Sequence, residues 1–162
     1  MTPNRTLCCI GLIIGVIVTP SANAQDSSHA AMQMRGRIAM GVDQYTSVHK
    51  FDDLANGGRI ELQRDRDDSV GTRVIREHLR SIAAAFTKGD FSTPAFVHMR
   101  DVPGTKVMQA RRAKIRYATR DLPRGGELRI TTTDAAALTA VHAFLAFQRS
   151  DHRAGGHEMH HP

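Results

Sequence analysis

The feature that most constrains the fold of this chain is a pattern that occurs twice. Leu54-x-x-Gly57-Gly58-x-Ile60-x-Leu62 returns as Leu122-x-x-Gly125-Gly126-x-Leu128-x-Ile130. Asn56-Gly57-Gly58 and Pro123-Arg124-Gly125-Gly126 are turn signals, and apolar residues two apart after each turn belong to a half-buried strand. Each copy therefore predicts a β-hairpin, the first over residues 46–63 and the second over residues 114–131.

An acidic cap and an amphipathic helix follow each hairpin. Asp68 or Ser69 caps a helix over residues 73–86, where Ile75, Leu79, Ile82 and Phe86 form one stripe and Lys88-Gly89 closes the end. Asp134 caps a helix over residues 135–150, with Leu138, Val141 and Leu145 facing inward. Between these units, residues 90–104 read as irregular, and Pro103 opens a short helix reaching Ala110. Residues 37–42 read as a short strand, and Gly41 as a bulge or close backbone approach. The order predicts an α+β fold. Duplicated ββα units form an antiparallel sheet with two main helices packed on one face.

The N-terminus predicts export. Arg5 precedes an apolar run over residues 7–18, Pro20 breaks it, and Ala22-Asn23-Ala24 supplies a small-x-small cleavage pattern. The run is shorter than the roughly 20 residues that cross a bilayer. The expected organisation is a signal peptide over 1–24, a disordered segment over 25–35, one α+β domain over 36–152 and a His/Met-rich flexible tail over 153–162. The expected location is the periplasm or outside the cell, with no transmembrane segment after cleavage behind Ala24.

Cys8 and Cys9 are the only cysteines, so cleavage would leave no thiol. That excludes thiol catalysis and disulfides from the mature chain. Arginine dominates the basic residues, 18 against 4 lysines, and the formal charge is +6. Export, the absence of Trp and only two Tyr argue against nucleic acid as a partner. The densest basic stretch, Arg111-Arg112-Ala113-Lys114-Ile115-Arg116, reads as a solvated helix-to-strand junction. Its sharper reading is a docking face for an anionic envelope component.

The nine histidines carry the chemistry. His29, Met32 and Met34 lie near the mature N-terminus, and His152, His157, Met159, His160 and His161 near the C-terminus. Within the domain stand His49 on a strand, His78 and His142 on helices, and His98 in the irregular segment. Imidazole suits copper, nickel and zinc, and thioether is a soft donor that favours Cu(I). The candidate metal ligands are therefore His49, His78, His98, His142, His152, His157, Met159, His160 and His161. If the two main helices lie side by side, His78 and His142 approach each other with His49 below. His157-Glu158-Met159-His160-His161 matches the H-E-x-x-H zinc-protease spelling. Nothing downstream supplies a third ligand, so the match carries no catalysis.

The acidic groups Asp52-Asp53 and Asp65-x-Asp67-Asp68 lack the spacing of an EF-hand loop and read as solvated turns. No phosphate loop, dinucleotide fingerprint, nucleophile elbow or nucleophile–base pair is present. A small enzyme is thus the least favoured reading, and no organic cofactor is implied. Most favoured is an exported binder of a transition metal, copper foremost and zinc or nickel next. An envelope interaction module with an Arg-rich face is the alternative.

Residues 40–44 (Met-Gly-Val-Asp-Gln), 75–79 (Ile-Arg-Glu-His-Leu), Gly89-Asp90-Phe91, Pro103-Gly104, Gly125-Gly126 and 140–148 together resemble a group of small exported bacterial proteins with no established activity. The resemblance covers roughly residues 40–152. Proteins of this look are sometimes labelled aspartate carbamoyltransferase. Such an enzyme would need two α/β domains and a Ser-Thr-Arg-Thr loop. Neither Thr131-Thr132-Thr133 nor Gly71-Thr72-Arg73 supplies that loop, so the resemblance implies a fold and an address without catalytic residues.

Overall fold

The structure, a computed structural model, describes residues 22–42 and 46–152. Helix α1 (Ala22–Met40) leads into the hairpin β1 (Ser47–Leu54) and β2 (Gly57–Arg64), then helix α2 (Ser69–Thr87). Two short helices, α3 (Ser92–His98) and α4 (Thr105–Ala110), connect to a second hairpin, β3 (Ile115–Leu122) and β4 (Gly125–Thr132). Helix α5 (Ala135–Asp151) ends the described chain. The fold is α+β, with one antiparallel sheet in the order β1-β2-β4-β3 and helices packed on it.

Strand alternation sorts the sheet into two faces. Phe51, Ile60, Leu62, Leu128, Ile130 and Ile115 are buried beneath the helices. The opposite face carries Lys50, Asp52, Arg59, Glu61, Arg116, Arg120, Glu127 and Arg129. Arg59 bonds Asp52 (2.9 Å), and Arg120 reaches Glu127 with two nitrogens (3.1 and 3.0 Å). Glu61 and Glu127 are direct partners across β2 and β4, and both are buried. Arginines beside them screen a repulsion that an unaccompanied pair would suffer.

Both main helices start where their caps place them. Asp68 Oδ1 accepts from the Gly71 amide (2.9 Å), and Asp134 Oδ1 from the Ala137 amide (2.9 Å). Each helix then rests on the hairpin of the other half. Arg76 of α2 donates to the Leu122 (2.6 Å) and Gly125 (2.9 Å) carbonyls of the second hairpin. His142 of α5 donates from Nε2 to the Leu54 (3.1 Å) and Gly57 (2.9 Å) carbonyls of the first. The paired glycines explain the close approach. A Cβ on Gly58 would overlap the Leu145 side chain, and one on Gly126 would sit 3.0 Å from Leu79 Cδ1.

Four expectations are corrected. Residues 25–35, expected to be disordered, lie inside α1, as do most of residues 37–42, expected to be a strand. Gly41 is not a strand bulge: it follows α1 with φ +76° and its amide bonds the Arg37 carbonyl (2.8 Å). Residues 90–104, expected to be irregular, hold α3. The polar composition of α1 hides its packing. Over residues 27–40 of it, only Met32 and Gly36, one turn apart, are buried, and Arg35 Nε donates to the Val97 carbonyl of α3 (2.7 Å). The proposed leader and the tail over 153–162 lie outside the described residues, apart from residues 22–24 at the start of α1.

Candidate functional site: a histidine-lined cavity

α1, α2, α3, the helix-covered face of the sheet and the end of α5 line a half-open cavity of about 90 Å³. Its walls are mostly apolar: Phe51, Leu62, Leu79, Phe86, Leu128 and Phe144 are among them. Into this lining the fold brings His49 from β1, His78 from α2, His98 from α3 and His152 from the end of α5. Met40, at the end of α1, lines the same space. Four of the expected ligands thus converge, from four different elements.

Each imidazole is held differently. His98 is buried, with Nδ1 donating to Asp151 Oδ2 (2.5 Å) and Nε2 3.1 Å from Gln148 Oε1. Asp151 is held in turn by Arg100 Nη2 (2.7 Å), whose guanidinium lies 4.6 Å above the Phe147 ring. Both nitrogens of His98 are therefore engaged, and its place is to orient the end of α5. Turning the Gln148 amide over would let it donate to Nε2 instead. As placed, the buried Gln148 Nε2 has no hydrogen-bond partner among the described residues.

His49 and His152 form the centre of the cluster. Their rings lie 5.9 Å apart, centre to centre, and the His152 ring is 5.5 Å from Phe51 and 5.1 Å from His98. Enclosure in apolar surroundings penalises the charged form of both. The His49 pKa is pushed down to about 4, by burial first and by nearby His78 second. That of His152 is pushed down to about 3, by burial first, then by His49, His98 and His29. Both are neutral at neutral pH, the form that offers a lone pair to a ligand. Ser47 Oγ lies 3.2 Å from Nε2 of His49, within hydrogen-bonding distance. Burial also lowers the His78 pKa, and a bond to the Ala39 backbone opposes it.

His142 does not join this set. Its Nε2 is committed to the two turn carbonyls of the first hairpin, so it closes a fold contact and does not face His78 across the cavity. His157, Met159, His160 and His161 lie outside the described residues. No three His, Cys, Asp or Glu side chains among the described residues are grouped so that they could hold one metal ion.

Gln148, Asp151, Arg100 and Met40 are absent from the sequence-derived ligand set. A signal for Gln148 and His152 is present all the same. They continue the Val141–Leu145 stripe of α5 by the same helical steps that carry Ile75–Leu79 to Ile82 and Phe86 in α2. Asp151 and Arg100 leave no such signal, because their meeting depends on where α3 docks.

The molecule thus belongs to a class defined by architecture: a small α+β domain with a neutral-imidazole cavity at one end of its sheet. No protein-family model, curated protein or solved structure matches the chain. No helix among the described residues is long and apolar enough to cross a membrane.

Proposed function

We propose that the protein is an exported binder of a transition-metal ion, held at the cavity by His49 and His152. The observation that supports this most is the pairing of two half-buried imidazoles, held neutral at neutral pH, 5.9 Å apart against apolar walls. Imidazoles buried without charge raise the cost of folding, and such costs gather at functional sites. The space, about 90 Å³, has room for an ion with its donors.

The test is metal titration of a protein whose tail donors are removed by His157→Ala, Met159→Leu, His160→Ala and His161→Ala. Zinc(II), copper(II) and copper(I) are offered separately. Binding of about one equivalent of at least one ion, weakened roughly 100-fold or more by His49→Ala with His152→Ala, supports the reading. Loss of all binding with the tail substitutions, or indifference to His49 and His152, overturns it.

A second reading has its own support. Arg116 and Arg129 are exposed on the sheet face opposite the helices and have no ion-pair partner among the described residues, while Arg59 and Arg120 stand beside them. That face would dock an anionic envelope component. Sedimentation with anionic but not neutral lipid vesicles, reduced by Arg116→Ala with Arg129→Ala, is its expected result. Equal sedimentation with both vesicle types counts against it.

A further inference from the structure

We propose, resting on the metal-binding reading above, that the ion is cuprous copper in a low-coordinate site made by His49, His152 and the thioether of Met40.

Charge is the first argument. The residues lining the cavity include no Asp, Glu or Cys, and Asp151 behind His98 is already shared with the Arg100 guanidinium, so the donors on the wall are neutral. The cost of placing an ion in a poorly polarisable site grows as the square of its charge, so a divalent ion suffers about four times the penalty of a monovalent one. Cu(I) is the monovalent ion among those that imidazole binds well.

Geometry is the second argument. Two imidazoles on one ion, at nitrogen–metal distances of ~2.0–2.1 Å and a tetrahedral angle, put their ring centres roughly 5 Å apart. Opening the angle toward trigonal or linear widens that to roughly 6 Å at the same bond lengths. His49 and His152 stand at 5.9 Å. The wide angle suits d10 Cu(I), which is content with two or three ligands, and disfavours zinc, whose structural sites take four.

The donor set is the third argument. No third His, Cys, Asp or Glu completes a group here among the described residues. A thioether is available instead. Met40, at the end of α1, lines the same cavity as His49 and His152. Thioether sulfur selects Cu(I) over divalent ions. A mature chain with no cysteine would hold that ion by donors that do not oxidise to disulfides.

The experiment uses the tail-substituted protein under anaerobic conditions. Cu(I) is titrated in competition with bicinchoninate, and zinc(II) with a chromophoric chelator. Cu(I) is expected to bind roughly 100-fold or more tighter than zinc(II). Met40→Leu, a volume-conserving change, should weaken Cu(I) about tenfold and leave zinc(II) unchanged. Copper-edge X-ray absorption of the unsubstituted cavity supplies a readout independent of that variant's folding, with one sulfur beside two nitrogen scatterers expected. Zinc(II) or copper(II) binding as tight as Cu(I) at His49 and His152, or a copper spectrum without sulfur, overturns the cuprous assignment while metal binding stands. Failure of every ion to bind overturns both.

Discussion

The main helices of the two halves run the same course and end differently. In α2 the inward stripe is Ile75, Leu79, Ile82 and Phe86, all buried. In α5 the matching steps are Val141, Leu145, Gln148 and His152. Phe86 finishes its stripe inside an aromatic group, stacked on Phe91 (4.4 Å) and edge-on to Phe144 (5.8 Å) and Tyr117 (5.7 Å). Phe86 thereby forms part of the apolar wall of the cavity, and Gln148 and His152 finish their stripe as part of its polar wall. The first two steps of each stripe hold the sheet, and the last two decide whether that end of the helix offers the cavity apolar or polar side chains.

The shared part of the stripes is the easiest to break. Leu79→Ala and Leu145→Ala should each lose about 2–5 kcal/mol in denaturant unfolding, because both side chains are buried against the opposite hairpin. A loss below 1 kcal/mol at either position would show that the halves do not lean on each other equally.

The divergent part should make stability depend on pH. The pKa values of His49 and His152 are depressed from about 6.5 to about 4 and about 3. Between those limits the unfolded chain holds more protons than the native one. Stability of the metal-free protein is therefore full above pH 6.5, falls as pH drops toward 4 and then 3, and levels off below. As upper values the two shifts correspond to about 3 kcal/mol for His49 and about 5 kcal/mol for His152. Thermal melting across pH 3–8 checks the direction, and His152→Phe should remove part of the slope. A flat profile between pH 4 and 6.5 would mean that the imidazoles are better hydrated than their enclosure implies.

Making the second stripe resemble the first sharpens the comparison further. Gln148→Ile with His152→Phe exchanges buried polar groups for apolar ones, and a gain of ~1–2 kcal/mol is expected from chemical denaturation, with metal binding lost. The smallest effects belong to the reciprocal clasps. Arg76→Ala and His142→Ala should each cost about 1 kcal/mol. Hydrogen exchange should rise at residues 122–125 for Arg76→Ala and at residues 54–57 for His142→Ala. Exchange rising at the helix's own hairpin instead would contradict the crossed arrangement.

The legible and the hidden parts of this chain follow from range. Turns, strands and caps depend on neighbours within a few residues. Gly57-Gly58, Gly125-Gly126, Asp68 and Asp134 therefore announce both hairpins and both main helices. The α2 helix begins four residues before the predicted Arg73, because the cap at Asp68 sets the start and the first apolar residue of the stripe does not. α1 stays hidden because its packing uses a methionine, a glycine and one arginine–carbonyl bond rather than an apolar stripe. The candidate histidines are legible as donors, but their grouping is not. His98 and His152 meet only because α3 docks against the end of α5, and His142 points to a hairpin that lies 85 residues away in sequence.

The central claim is that His49 and His152 together take up a metal ion while His142 serves the fold. Imidazole nitrogen NMR of the protein before and after one equivalent of Cu(I) addresses it directly. The account predicts large shifts at the ring nitrogens of His49 and His152, with His142 unmoved. Shifts confined to His142 or to the tail histidines, with His49 and His152 unchanged, would contradict it.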